Sequence, residues 1–199
     1  MTVRLPAVVS SLAVCICAQA SASVTIFSES AVYDAATAGM SRALESFASF
    51  TNGTYPSPLG GTTGPVSWTA TATGGLFIDS GRMSTIGGQD LLISFGGVGI
   101  DTRGVSGNFF ATEGGTVTAA VVTVELNDGT AQMMAVSDPG AFMGFLAAGS
   151  SISSIRISIT SATGSASPTV DNLDFAYVPA PGSISLLAAS LLLVPRRRR

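Results

Sequence analysis

Val117-Thr118-Ala119-Ala120-Val121-Val122-Thr123-Val124-Glu125-Leu126, then Asn127-Asp128-Gly129, then Thr130-Ala131-Gln132-Met133-Met134-Ala135-Val136 is the stretch whose reading decides the fold. Its first part is β-branched and apolar, a composition that suits a pleated, half-buried surface. Asn-Asp-Gly is turn chemistry, because these residues accept the local backbone bonds and positive φ that a tight reversal needs. The whole reads as a β-hairpin. Working outward, Ile155, Ile157 and Ile159 alternate with Arg156, Ser158 and Thr160, and Leu173, Phe175 and Tyr177 alternate with Asn172, Asp174 and Ala176. Period two of this kind marks strands with one buried face. Residues 66–73, 91–95 and 108–112 are further strands on the same grounds.

Glycines at 53, 60–61, 74–75, 87–88, 96–97 and 114–115 punctuate these runs. One short helix is expected over 29–38, with Ser28 as its N-terminal cap and Glu29 favourable to the helix dipole. No internal repeat of fixed period is present. The expectation is an all-β domain, an antiparallel β-sandwich of jelly-roll type, preceded by that one helix. The apolar fraction of 46% in 199 residues is enough for a packed core without disulfides.

The charges are unevenly placed. Arg4 lies near the start and four arginines close the chain, which leaves Arg42, Arg82, Arg103 and Arg156 against all twelve carboxylates. Four against twelve gives the central body a net charge of −8. Phosphate backbones need clustered cations, so nucleic acid is excluded as a partner class.

The two ends read as signals. Arg4 followed by an apolar run over 5–17, and then Ala18-Gln19-Ala20 and Ala20-Ser21-Ala22, have the layout of a secretion leader cleaved after Ala20 or Ala22. Leu12-Ala13-Val14-Cys15 offers a rival lipoprotein reading, against which bulky Val14 counts. Both cysteines, Cys15 and Cys17, fall in this leader, and a domain without thiols suits an oxidising compartment. At the other end, an apolar stretch over 184–194 closes on Pro195 and then Arg196, Arg197, Arg198 and Arg199. As a helix it is too short to span a bilayer of about 30 Å comfortably. Consecutive arginines are retained on the cytoplasmic side, which places the acidic body outside. The expected division is a leader over 1–22, a sandwich over 23–177 and a sorting or anchoring segment over 178–199 with a hydrophobic helix.

The order Val178-Pro179-Ala180-Pro181, apolar segment, arginine cluster resembles the PEP-CTERM sorting signal of bacterial envelope proteins. That resemblance covers about the last 22 residues and departs from the family at Ala180, where the family carries Glu. It implies recognition of the tail by a membrane-embedded exosortase, and delivery to the membrane, the cell surface or an exopolysaccharide matrix. The strands around Glu45-Ser46-Phe47 and Val170-Asp171-Asn172-Leu173-Asp174-Phe175 loosely resemble domains common in such proteins.

The chain has no His, and the expected mature domain has no Cys or Lys. Ser-His-Asp and Cys-His catalysis, Schiff-base chemistry and the usual zinc sites are thereby excluded. No P-loop or Gly-x-Ser-x-Gly elbow occurs. Glu45, Glu113 and Glu125 are the carboxylates a glycoside hydrolase would draw on, although no spacing marks a pair. The expectation is a protein that is not an enzyme.

Two binding chemistries remain open. Calcium takes oxygen ligands and needs neither His nor Cys; by analogy with jelly-roll carbohydrate-binding modules, Glu45, Asp171 and Asn172 are candidate ligands. The alternative is that Asp171 and Asn172 bond only to local backbone. For a sugar, Trp68 and Tyr55 are the candidate stacking rings, with Tyr33 and Tyr177 behind them; the alternative for Trp68 is a place in the core. The leading reading is therefore an exported, non-enzymatic envelope or matrix protein. A carbohydrate-binding module, stabilised by calcium, is second, and a glycoside hydrolase third.

Overall fold

The computed structural model describes residues 22–114, 116–136, 140–159 and 166–180. In chain order these form β1 (Ser23–Phe27), α1 (Ser30–Ala36), β2 (Ser41–Glu45), β3 (Gly53–Tyr55), β4 (Leu59–Thr63), β5 (Val66–Thr71), β6 (Leu76–Asp79) and β7 (Arg82–Thr85). There follow β8 (Leu91–Gly96), β9 (Ile100–Glu113), β10 (Thr116–Thr118), β11 (Ala120–Leu126), β12 (Ala131–Val136), β13 (Phe142–Ala148), β14 (Ile152–Ile159) and β15 (Ser167–Pro179). Every strand pairing among them is antiparallel, in two sheets.

The larger sheet runs β1-β13-β9-β15-β7-β6-β3, with β10 also beside β9 and β2 also beside β15. The smaller runs β12-β11-β14-β8-β5-β4. Their inner faces share one core. Leu76, Ile78, Met83, Phe109, Val170 and Phe175 enter it from the larger sheet, and Trp68, Ile93, Val122, Val124, Ile155 and Ile157 from the smaller. Burying each such side chain contributes about 1.5–3 kcal/mol. The architecture is an antiparallel β-sandwich, as the alternation patterns require.

The hairpin is present as β11 and β12. Leu126 N–H donates to Thr130 O at 2.8 Å and Gly129 N–H to Leu126 O at 3.0 Å. Asp128 Oδ1 accepts from Thr130 N–H at 2.9 Å, and Gly129 takes the positive φ of 84°. The expected single strand over 117–126 is nevertheless broken. Inward-facing residues run Ala120, Val122, Val124, Leu126, a phase that leaves Val117 outside and 42% exposed. The chain changes sheets at Ala119: β10 joins the larger sheet and β11 the smaller.

The helix is shorter than expected and Ser28 does not cap it. Glu29 is the N-cap, without a side-chain capping bond. Seven residues are too few for a self-supporting helix, so tertiary contact holds it. Tyr33 is fully buried, its ring against Phe27 and Phe142 at centroid distances of 5.6 and 5.7 Å. It lies so close to β13 that a Cβ on Gly144 would fall 2.6 Å from the ring. Arg42 closes over it at 5.3 Å and pairs with both Asp34 and Asp174.

The last strand runs two residues past the expected boundary at 177. Val178 pairs with Asp101 and Pro179 with Ile100, and Ala180 N–H donates to Gly99 O at 3.0 Å. Pro181, the apolar segment over 184–194 with its expected helix, the arginines 196–199 and the leader over 1–21 lie outside the described residues. Among the described residues no helix is long and apolar enough to cross a membrane.

Candidate functional site

Glu45 is placed at the end of β2 and is 7% exposed. Alternation along β2 buries Ala43 and Glu45 on the inner face. The Glu45 carboxylate is fully engaged there. Its Oε1 accepts from Phe47 N–H at 2.8 Å. Its Oε2 accepts from the Thr63 hydroxyl at 2.6 Å and from the Trp68 indole N–H at 3.0 Å. Phe47 has a φ of 54°, so this carboxylate also pins a backbone conformation that a phenylalanine rarely adopts.

The three candidate calcium ligands are neighbours in the sheet without converging. Leu173 pairs with Glu45, as the sequence reading requires of these strands. Yet Glu45 faces the core, while Asp171 lies beyond inward-facing Val170 and sits 3.5 Å from Arg82 Nε. Asn172 adopts a φ of 52° in the irregular register between Asp171 and Asp174. Among the described residues no cluster of three or more His, Cys, Asp or Glu could hold a metal. Hydrogen-bond donors already meet both Glu45 oxygens.

Trp68 is a core residue, 2% exposed, with Phe47 edge-on at 5.6 Å and Phe50 at 5.9 Å. Its ring offers no face to a ligand. Tyr55 is half-buried, packs edge-on against Phe50 at 5.8 Å and donates its hydroxyl to Thr51 O at 2.7 Å. Tyr33 is enclosed under α1 and Tyr177 is partly buried against the core. The carboxylates named for hydrolysis are also dispersed. Glu45 faces the core, whereas Glu125 lies on the outer face of β11, accepting from Ser154 Oγ at 2.9 Å, and Glu113 ends β9.

A groove forms elsewhere, on the outer face of the larger sheet. Along β6, Leu76 and Ile78 are buried, so Phe77 and Asp79 point outward, and Phe77 is 43% exposed. Phe77 stands opposite Ser84, and Asp79 opposite Arg82. Ser84 in turn pairs with Thr169. The floor is a row of hydroxyls: Ser84 Oγ and Thr169 Oγ1 are 2.9 Å apart, and Thr169 Oγ1 and Thr112 Oγ1 3.4 Å. Val117 supplies the far wall, and the cavity has a volume of about 500 Å³. Arg82 is half-exposed, loosely paired with Asp171 and set 5.8 Å above the Phe110 ring.

This combination suits a polyhydroxylated ligand. An exposed aromatic face takes an apolar sugar face, and hydroxyl, guanidinium and carboxylate groups exchange hydrogen bonds with ring hydroxyls. Phe77 was missed at the level of sequence, although its signal was present. In Leu76-Phe77-Ile78-Asp79 it shares the outward phase with Asp79, an aromatic on a polar face. A second cavity of about 590 Å³ lies on the smaller sheet. It is lined by Ser57, Thr71, Gln89, Asp90 and Arg156 among others, with no aromatic ring.

No protein-family model and no curated protein matches this sequence. Among solved structures, a mutant of a family 29 carbohydrate-binding module is similar at 10% identity and a TM-score of 0.39, over 63% of this chain and 90% of the other. A second family 29 carbohydrate-binding module is similar at 10% identity and a TM-score of 0.38, over 63% and 88%. A likeness this loose fixes neither fold nor ligand.

Proposed function

We propose that the chain is an exported, non-enzymatic carbohydrate-binding sandwich, with the groove beside Phe77 as its site. One observation carries the binding reading: an exposed aromatic ring stands at the wall of a groove floored by Ser84, Thr112 and Thr169. The volume of about 500 Å³ lies within the usual range for small-ligand sites, and it admits one or two sugar rings. Arg82 and Asp79 supply the planar polar groups that fix orientation.

Destination comes from the ends. The leader over 1–22 exports the chain, and the 178–199 segment sorts it through an exosortase-like enzyme to the membrane, cell surface or exopolysaccharide matrix. The support is the order of parts in the sequence. Deleting 184–199 is expected to shift the protein from the membrane fraction to the soluble one; unchanged fractionation overturns the sorting reading and leaves the groove untouched.

The binding test is a glycan array followed by calorimetry on any glycan retained. Phe77→Ala is expected to weaken binding at least tenfold while leaving the melting temperature unchanged, because the ring is already half in water. Retention of no glycan, or equal affinity in Phe77→Ala and wild type, defeats the proposal.

A further inference from the structure

Alternate residues of a strand share one face of its sheet, and β9 carries one such series along the outer face of the larger sheet. Val105 and Phe109 enter the core, so Ser106, Asn108, Phe110 and Thr112 point the other way. Thr112 lines the Phe77 groove. Ser106 and Asn108 line a further cavity of about 260 Å³, together with Leu44 and Asn172. The two cavities therefore open on one face, with Ser106 and Thr112 separated by roughly 20 Å at about 3.3 Å per strand residue. Between them Arg82 lies over the Phe110 ring at 5.8 Å. Arg82 also lines the Phe77 groove, and the pairing continues from it toward the second cavity: Arg82 opposes Asp171, and Asp171 opposes Asn108.

The second cavity repeats the chemistry of the first. Leu44 is 57% exposed, an apolar side chain in the outward phase of β2, opposite Asp174. The Ser106 hydroxyl and the Asn108 and Asn172 amides stand beside it. An apolar side chain next to hydroxyl, amide and carboxylate groups again matches a sugar ring, which has one apolar face and a polar rim.

We infer that the two cavities are subsites of one site for a neutral, linear oligosaccharide, its chain running from Phe77 past Arg82 to Leu44. The inference rests on the carbohydrate-binding reading and extends it from one or two rings to a longer chain. Charge decides the class. Asp34, Asp79 and Asp174 line the cavities and Asp171 stands between them, against Arg42 and Arg82. Four carboxylates and two guanidiniums leave this path at a net −2. Both guanidiniums are already paired, Arg42 with Asp34 and Asp174, and Arg82 with Asp171. A chain of uronates meets like charge along the path, and a neutral chain does not.

The test uses the full chain in one non-ionic detergent. Its probes are neutral gluco-, galacto- and xylo-oligosaccharides, each as disaccharide and hexasaccharide, with oligogalacturonates of the same two lengths. Calorimetry is expected to show the hexasaccharide of a retained type binding more than tenfold tighter than its disaccharide, and the oligogalacturonates bound more weakly than either. A longer chain also offers more registers to a single subsite, but that gain cannot exceed the number of registers. Leu44→Ser is expected to reduce the length ratio to that gain, with the Trp68 emission unchanged because Leu44 already stands in water. Val32→Ser, at an exposed residue of α1 that lines neither cavity, is expected to keep the ratio. Phe77→Ala is expected to weaken both lengths. A wild-type ratio no larger than the register gain, a ratio that survives in Leu44→Ser, or oligogalacturonate bound as tightly as the neutral chains overturns this inference and leaves the Phe77 groove standing. Binding of no glycan, or binding at both lengths that ignores Phe77→Ala, overturns the carbohydrate reading and this inference with it.

Discussion

Glu45 Oε2 accepts the indole N–H of Trp68 at 3.0 Å, and this bond joins β2 of one sheet to β5 of the other through the middle of the core. A buried carboxylate is tolerated only when its lone pairs are satisfied, and three donors satisfy this one. Removing it leaves those donors without their acceptor. Glu45→Ala is expected to cost about 3 kcal/mol in urea unfolding, since each buried unsatisfied group costs about 1–3 kcal/mol. A double-mutant cycle with Trp68→Phe is expected to give a coupling of about 1.5–3 kcal/mol, the range for bonds to a charged group. Additive effects would show that the bond contributes nothing.

The same engagement bears on calcium. Both Glu45 oxygens already accept from protein donors, with which a cation would compete. Added Ca²⁺ is expected to leave the melting temperature unchanged; a rise that depends on Glu45 and Asp171 would identify those residues as ligands.

Two adjacent glycines on β4 provide a sharper contrast. A Cβ on Gly61 would fall 2.4 Å from Trp68 Cζ2, whereas one on Gly60 meets nothing nearer than 3.5 Å. Gly61→Ala is expected to destabilise by about 1–3 kcal/mol through overpacking, measured by thermal or urea unfolding. Gly60→Ala is expected to be within about 0.5 kcal/mol of wild type. Equal effects would mean that the indole is not wedged against Gly61.

Tyr33 is expected to contribute to the alkaline limb of stability. Burial, then the nearby Asp174 carboxylate, raise its phenol well above the ordinary value of about 10. In the unfolded chain the phenol ionises near pH 10, while in the fold it stays neutral. Its stabilising contribution is therefore complete below pH 10 and is lost as pH rises above it. Wild type is expected to lose up to about 1.4 kcal/mol per pH unit there from this group. Tyr33→Phe is expected to show a shallower slope in urea midpoints between about pH 10 and 11. Parallel slopes would remove Tyr33 from the account.

The hairpin at 127–129 and the strands around Ile155–Ile159 and Leu173–Tyr177 were legible because alternation and turn residues act locally. The length of β9 was not. Gly104 and Gly107 interrupt its pattern, and only the fold shows why small residues are needed there: a Cβ on Gly104 would meet Tyr33 Oη at 2.5 Å. Gly60 and Gly61 likewise read as a turn but lie within β4, because what they accommodate is a ring on the neighbouring strand. The role of Trp68 was open in the sequence, since a buried and an exposed indole have the same local pattern on a strand. Phe77 was legible in principle, through its shared phase with Asp79, yet a single aromatic among several draws little notice until its neighbours from β7, β9 and β15 are beside it.

The run of β15 into Val178, Pro179 and Ala180 has a mechanical consequence. Antiparallel hydrogen bonds lie perpendicular to their strands, and β15 is bonded to β9 from Ser167 to Pro179. A pull on the chain beyond Ala180, directed along the strand, loads that ladder in shear, with many rungs sharing the force at once. A tether placed at a hairpin end would instead peel rungs one by one. The chain beyond Ala180 thus leaves the sandwich at a seam that such a pull loads in shear.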